Sequence, residues 1–254
     1  MKNQFITNPL KNIDQIKKSV KQHGIALFEC DFEQEDFTEF GDLLGGVYKH
    51  RDSVTNGITV VKNTIDKSQS MSGYFGLTSS SLFPHTDRST LDTPPNILLL
   101  YCKSQSGEGG ESTLVDMKSV ISEIANDSDF ENHPIFEKNS VIFDDGRSCH
   151  KGSIIERIED GSFYLRYRND EFGYFNSKIL HHLKRIEEVI SNHRVLFKLK
   201  NNQGYIINNG RFLHGRTEFK GEREMWRLLV FDNFMEHKGF NLEKTYEYSQ
   251  ADSI

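Results

Sequence analysis

Short segments rich in β-branched and aromatic residues recur along most of this chain, and they constrain its fold more than any other feature. Clusters of Gly, Asn, Asp or Ser separate the segments, a pattern typical of strands joined by turns. Strands are predicted at residues 25–28, 58–61, 96–102, 112–115, 163–167, 205–207 and 227–231. Many short strands with a few helices between them predict a mainly β domain, either a β-sandwich or a jelly roll.

Two helices are predicted before most of these strands. Asn8 and Pro9 suit the N-cap and first position of a helix, and apolar residues follow at near-helical spacing until Gly24. A second helix is predicted over residues 34–44, with Phe37, Phe40, Leu43 and Leu44 inward, and Gly45 and Gly46 end it.

Two further helices interrupt the strands. One is predicted after Asp116, and the other over residues 177–191, where apolar residues repeat on one face; His181 and His182 fall on that helix, and at least one of them should face solvent. No repeat or Pro-rich linker divides the 254 residues, so we expect a single domain over residues 1–254, with N-terminal helices and a helical insertion around 177–191.

Composition narrows the class of partner. The net charge is -6 and the Lys and Arg residues form no basic tract, which argues against nucleic acid and favours a small-molecule substrate. The three cysteines show no CxxC spacing, so a disulfide scaffold or structural zinc site is not expected. The sequence has neither a signal-peptide pattern nor a long apolar run, so we expect a soluble, cytoplasmic protein without membrane association.

One pair of residues is spaced to bind a metal ion. His85 and Asp87 stand two positions apart, and in an extended segment that spacing points both side chains to one face. His214 follows Asn209-Gly210, a strong hairpin signal that would place it in the next strand. Two histidines and one carboxylate can occupy one face of an iron(II) ion and leave the other open to a cosubstrate and O2.

Further motifs follow in a fixed order. The chain carries the segments 83–87, Phe-Pro-His-Thr-Asp; 94–102, Pro-Pro-Asn-Ile-Leu-Leu-Leu-Tyr-Cys; 107–116, Gly-Glu-Gly-Gly-Glu-Ser-Thr-Leu-Val-Asp; 213–217, Leu-His-Gly-Arg-Thr; and 223–227, Arg-Glu-Met-Trp-Arg. In order and spacing these segments resemble the taurine dioxygenase-like family of iron(II)- and 2-oxoglutarate-dependent oxygenases. The resemblance covers about residues 83–232.

That resemblance implies a fold, a ligand set and a cosubstrate site. The fold would be a double-stranded β-helix, a cupin-like jelly roll. His85, Asp87 and His214 would bind iron(II), with 2-oxoglutarate and O2 as cosubstrates. The hydroxyl of Thr113 and an arginine on a late strand would hold 2-oxoglutarate.

Two arginines compete for that last role. In this family the first arginine of an R-x-x-x-R pair usually binds the distal carboxylate, which implies Arg223, although it follows His214 closely and leaves Arg227 as an alternative. A guanidinium matches a carboxylate with two parallel hydrogen bonds. Arg223 could instead be a solvated turn residue beside Glu222 and Glu224. Arg227 stands in an apolar strand, where a charge needs a buried partner: 2-oxoglutarate or an acidic group of the substrate.

The intact carboxylate also bears on the reaction. Halogenating relatives replace this residue with a small one, so Asp87 implies oxygen insertion or another two-electron C–H oxidation rather than halogenation, with release of succinate and CO2. We expect hydroxylation of an unactivated C–H bond in a free amino acid or related small carboxylate. Candidate substrate contacts are the anion-binding segment Arg166-Tyr167-Arg168 and four lid residues, Tyr74, Arg88, Asp144 and Asp145.

Other functions remain open. The same iron ligands would support a desaturase or a cyclisation enzyme. A non-catalytic jelly-roll binding module is a different class, but it should have lost an iron ligand or the 2-oxoglutarate arginine. A zinc hydrolase is disfavoured because the chain lacks an HExxH helix.

Overall fold

The structure is a computed structural model that describes residues 5–49, 53–54, 56–63, 75–125, 133–158 and 161–242. It is mainly β, with four α-helices among the described residues. None of the helices described is long and apolar enough to cross a membrane. The helices are α1 (Ile13–His23), α2 (Gln34–Leu44), α3 (Met117–Ile124) and α4 (Ser177–Asn192).

The strands are short. In chain order they are β1 (Ile6–Thr7), β2 (Ile25–Glu29), β3 (Gly45–Val47), β4 (Thr59–Lys62), β5 (Leu82–His85), β6 (Ile97–Ser104), β7 (Glu108–Gly109), β8 (Ser112–Asp116), β9 (Val141–Asp144), β10 (Cys149–Gly152), β11 (Ile155–Arg157), β12 (Phe163–Leu165), β13 (Gly173–Phe175), β14 (Val195–Phe197), β15 (Gln203–Asn208), β16 (Phe212–Arg216), β17 (Phe219–Lys220) and β18 (Glu224–Asp232).

Two sheets hold most of the structure. The larger has seven strands in the order β1-β2-β15-β6-β18-β3, with β4 paired to β18, and the smaller has the order β14-β8-β16-β5. Side chains from both sheets form one buried apolar cluster, whose members include Leu98, Cys102, Leu114, Tyr205 and Met225. The two sheets therefore face each other, and what lies between them is enclosed by strands on both sides.

Helices cover the outer faces of both sheets. Side chains of α1 and α2 pack with Leu99, Tyr101 and Trp226 of the larger sheet. Those of α3 and α4 pack with Val115 and Leu213 of the smaller sheet. Alternation along each strand thus sends neighbouring residues to opposite layers, one toward the other sheet and one toward the helices.

The helix predictions are largely confirmed. The second helix has the predicted bounds, although Leu43 is half-exposed rather than inward, and the fourth extends one residue further. His181 and His182 are both exposed. The start of the first helix was predicted too early: Asn8 adopts a left-handed φ of 49°, so residues 8–12 form a turn and α1 begins at Ile13.

The hairpin predicted at Asn209-Gly210 is not formed. A turn does occur there, with Arg211 N donating to Asn208 O at 3.0 Å. However, β15 before the turn belongs to the larger sheet and β16 after it to the smaller one. The chain therefore crosses from one sheet to the other at this turn.

Candidate iron centre

His85, Asp87 and His214 come together between the sheets. All three side chains are buried, and one ligand atom from each lies within 4.8 Å of the other two. His85 Nε2 is 3.5 Å and His214 Nε2 is 3.9 Å from Asp87 Oδ1. Two imidazoles and one carboxylate that converge on one point are the donor set of a non-haem iron(II) site, so the residues fit the predicted metal.

Strand pairing positions the two histidines. His85 ends β5 and is the direct partner of His214 in β16, so both side chains project from the same face of the smaller sheet. Their rings lie 4.5 Å apart between centroids. His85 Nδ1 is 2.8 Å from the carbonyl oxygen of Phe83. This bond fixes the proton on Nδ1 and leaves the Nε2 lone pair for a metal ion.

Asp87 lies beyond the end of β5, and a side chain replaces the missing strand partner. Asn209 accepts a hydrogen bond from Asp87 N at 2.9 Å through Oδ1. It donates through Nδ2 to Asp87 O and to Pro95 O, each at 2.9 Å. The backbone of the carboxylate ligand is thus tied to the turn that precedes His214.

The charges around the site favour the metal-binding protonation states. Burial raises the pKa of Asp87, but Arg227 and the two histidines lower it by more than burial raises it. The net pKa of Asp87 is therefore well below the usual value. Arg227 Nη1 lies 3.0 Å from Asp87 Oδ2. Burial, His85 and Arg227 lower the pKa of His214 to about 3. The site therefore holds a carboxylate beside a neutral imidazole.

Arg227 and Arg223 both come from the region of β18. Met225, Arg227 and Leu229 alternate with residues that face α2, so Arg227 points between the sheets, where its described partner is Asp87. Arg223 directly precedes β18 and is buried, only 5% exposed. It forms no ion pair with any described residue, and its Nε has no hydrogen-bond partner.

The surroundings of Arg223 are unusual for a buried cation. Its guanidinium lies 5.5 Å from the Phe219 ring, and Arg216 lies 5.0 Å from the same ring. Burial lowers the pKa of Arg223, while Cys102 and Tyr205 nearby raise it. Arg216 donates to carbonyl oxygens, including that of Gly76 at 3.0 Å. Arg223 is thus a buried cation without a described carboxylate partner, a setting that suits an anionic ligand.

The strand register does not support the role predicted for Thr113. In β8, Leu114 pairs with His214 and therefore shares its face, as does Ser112 two residues away. Thr113 pairs with Gly215 and with Leu196, a half-exposed residue of β14, and so faces away from the space between the sheets. Ser112 therefore places a buried hydroxyl on the face of the iron ligands.

The predicted substrate contacts have different surroundings. The guanidinium of Arg166 is buried and donates to backbone carbonyls, including Asp92 O at 2.6 Å, so its role is structural. Arg168 pairs with Asp170, with Nε 2.8 Å from Oδ1, close enough to the site to influence the pKa of His214. Arg88 lies 3.6 Å from Asp145. Asp144 accepts a bond from Gly146 N, and Tyr74 lies outside the described residues.

A comparison with protein families identifies the chain. The sequence profile of the family described as "Taurine catabolism dioxygenase TauD, TfdA family" matches residues 6–229. The chain belongs to this family. The predicted family is therefore confirmed. The buried His-Asp-His donor set fits the iron(II) ion that the resemblance to this family implies.

Individual relatives are more distant. Gamma-butyrobetaine dioxygenase from Homo sapiens is 29% identical over 175 residues, which cover 60% of this chain and 43% of that protein. The chain thus matches less than half the length of this curated relative. A putative alpha-ketoglutarate-dependent taurine dioxygenase from Burkholderia xenovorans has a similar structure, with a TM-score of 0.68, 14% identity, and coverage of 91% of this chain and 86% of that one.

A third similar structure holds ligands. It is asparagine oxygenase in complex with Fe(II), 2S,3S-3-hydroxyasparagine and succinate. The TM-score is 0.62 at 12% identity, with coverage of 87% of this chain and 78% of that chain. Similarity at this level of identity establishes a common fold, and the substrate of this chain has to be argued from its own residues.

Proposed function

We propose that this chain is an iron(II)- and 2-oxoglutarate-dependent dioxygenase that hydroxylates an unactivated C–H bond of a free amino acid or related small carboxylate. One observation carries the proposal: the buried His85, Asp87 and His214 lie between two sheets that also enclose the guanidinium groups of Arg223 and Arg227. We infer that these sheets form the double-stranded β-helix of the family.

The position of each arginine supports its role. 2-Oxoglutarate chelates a metal through its 2-oxo acid end, and two methylene groups separate that end from the distal carboxylate. Arg227 already contacts the iron ligand Asp87 and so lies at the metal end. Arg223 is four residues earlier, before β18 begins, and lies near Cys102 and Tyr205 of the core between the sheets. Its buried guanidinium without an ion pair is therefore assigned to the distal carboxylate.

We assign the second contact to the distal carboxylate to Ser112 in place of Thr113. Ser112 pairs with Phe197 of β14. The Phe197 ring lies 5.9 Å from the ring of Tyr205, and Tyr205 is close enough to Arg223 to influence its pKa. A hydroxyl at this position can donate to the carboxylate that Arg223 neutralises.

Arg227 supports the substrate class. Only its Nη1 contacts Asp87, and its Nε is buried without a hydrogen-bond partner among the described residues. The guanidinium therefore retains donors for a second anion beside the iron ligands. A small carboxylate such as that of an amino acid satisfies these donors, and asparagine oxygenase, a protein of the same fold, is named for such a substrate.

The protein residues have separate tasks in this reaction. When bound, iron(II) and 2-oxoglutarate would activate O2, with one oxygen atom passing to the C–H bond of the substrate and the other to succinate as CO2 is released. His85, Asp87 and His214 would hold the metal on one face, Arg223 would orient 2-oxoglutarate, and Arg227 would orient the substrate. The sheets on either side exclude water from the site.

The test is substrate-dependent turnover. Small carboxylic acids and the amino acids are screened for stimulation of succinate release, and the product formed under ¹⁸O₂ is analysed by mass spectrometry. The proposal expects at least one compound with a carboxylate to stimulate release and to gain one ¹⁸O atom. An unsaturated or cyclised product without ¹⁸O would show that the enzyme is a desaturase or a cyclisation enzyme and not a hydroxylase. A chain that never releases succinate would contradict the proposal.

A further inference from the structure

Asn209 makes three hydrogen bonds through its side chain and lies outside the set of iron ligands. It is almost completely buried, with 1% exposure. An amide side chain has one acceptor oxygen and two N–H donors, and all three are used here: by Asp87 N, Asp87 O and Pro95 O. Every polar atom of the Asn209 side chain is therefore bonded to the backbone of Asp87 or Pro95.

The backbone at Asp87 needs such support because no strand provides it. β5 ends at His85, two residues earlier. Arg88, which follows Asp87, adopts a left-handed φ of 58°, a conformation that residues other than glycine disfavour. The chain therefore turns sharply just after the carboxylate ligand, and local preference alone would not keep Asp87 where it is.

The location of Asn209 links this turn to the other ligands. It lies in the turn between β15 and β16, and His214 follows in β16. Its own backbone N–H donates to Asn96 O at 2.8 Å, just before β6. One side chain thus joins the Asp87 segment, the start of a strand in the larger sheet and the turn that leads to His214.

We propose that Asn209 is a positioning residue that sets the distance between Asp87 and the two histidines and thereby the metal affinity. Groups that hold a metal ligand in place typically change metal affinity about 10- to 100-fold when they are removed. The inference rests on the iron ligands alone and requires neither the 2-oxoglutarate pocket nor the substrate proposed above.

The experiment measures Co(II) binding to the full chain, with no 2-oxoglutarate present, by visible absorption. The unfolding midpoint of the metal-free protein is recorded for the same samples. Asn209→Ala is compared with Asn208→Ala. Asn208 is a matched control because it is also buried, at 3% exposure, and its side chain bonds Gly239 O and Gly210 N without touching Asp87.

The two variants should separate. Asn209→Ala should bind Co(II) about 10- to 100-fold more weakly than the wild-type chain. Asn208→Ala should lower the unfolding midpoint and keep wild-type affinity. Wild-type affinity in Asn209→Ala, or an equal loss of affinity in both variants, would overturn the proposal. If the alanine variant does not fold, Asn209→Ser gives the same test, because its hydroxyl is too short to reach both backbone groups of Asp87.

Discussion

At the scale of single residues, two arginines four positions apart have different environments. Arg223 is buried without an ion pair among the described residues, whereas Arg227 contacts the carboxylate of Asp87. The sequence supplied both candidates because an R-x-x-x-R pair is visible in it. It could not choose between them, since the choice depends on which guanidinium the fold brings to Asp87.

Arg223→Lys should weaken 2-oxoglutarate binding about 10- to 100-fold, because one ammonium cannot replace two parallel hydrogen bonds. Isothermal titration with 2-oxoglutarate in the presence of Mn(II) measures the affinity. Arg211→Lys is the control, since Arg211 also binds a carboxylate, that of Asp116, but at the opposite end of β8 from Ser112. An unchanged affinity in Arg223→Lys with a loss in Arg227→Lys would transfer the role to Arg227.

Each metal ligand could be predicted from the sequence, but the side chain that holds Asp87 in place could not. His85, Asp87 and His214 were identifiable because the residue types and their order are specific. Asn209 was visible only as part of a turn signal, because its partners are backbone atoms as far away as Asp87, 122 residues earlier. Hydrogen bonds of this kind exist only after the chain has folded.

At the scale of elements, the register of β8 decides which hydroxyl faces the site. Apolar periodicity predicted the helices well, since a helix of several turns repeats its pattern. Strands of three or four residues, such as β5 and β14, give too short a pattern. The strand pairing is needed to tell whether Ser112 or Thr113 faces the site. It is also needed to see that β15 and β16 belong to different sheets.

Ser112→Ala and Thr113→Val test this register. Ser112→Ala should raise the dissociation constant for 2-oxoglutarate by about 5- to 10-fold, the effect of one lost hydrogen bond of about 1 kcal/mol. Thr113→Val preserves shape on the opposite face and should leave the constant unchanged. The same titration measures both, and a reversed order of the two effects would restore Thr113 to the site.

The loop between β9 and β10 gives a pH-dependent prediction. Burial raises the pKa of Asp145, but bonds from Ser148 and Arg147 N–H groups and the charge of Arg88 give it a net pKa below the usual value. Its stabilising contribution is therefore present above the unfolded pKa of about 3.9 and is lost as pH falls through the lower folded pKa.

Asp145→Asn should reduce the free energy of unfolding by about 1–2 kcal/mol at pH 7, because the charged bonds are lost. The difference from wild type should narrow as pH falls from about 3.9 through the lower folded pKa of Asp145, below which the wild-type carboxyl is also protonated. Urea unfolding at several pH values measures this. Asp144→Asn is the neighbouring control, and a difference that stays constant with pH would contradict the assigned cause.

At the scale of the whole molecule, much of the apolar packing that stabilises the fold lies in a different layer from the iron ligands. A cluster of aromatic residues, including Phe40, Phe28 and Tyr101, lies between the larger sheet and α2, on the face opposite the iron ligands. A mainly β fold with helices was predictable from segment lengths and turn residues. The division of strands between two sheets was not, because it depends on pairings distant in sequence.

Phe40→Ala should lower the free energy of unfolding by about 3–5 kcal/mol, since its fully buried ring lies 5.2 Å from that of Phe28. Metal affinity of the folded fraction should not change. Leu180→Ala, at a half-exposed position of α4, should alter stability by less than about 0.5 kcal/mol. Urea unfolding and Co(II) binding measure both, and a large loss of metal affinity in Phe40→Ala would show that the layers are coupled.

We expect His85, Asp87 and His214 to bind an iron(II) ion that 2-oxoglutarate chelates between the two sheets. Anaerobic addition of iron(II) and 2-oxoglutarate to the chain tests it most directly, through the weak visible charge-transfer band of the chelate. The account predicts a band that saturates at one 2-oxoglutarate per chain and is absent in Asp87→Ala. A folded wild-type chain that gives no band would contradict it.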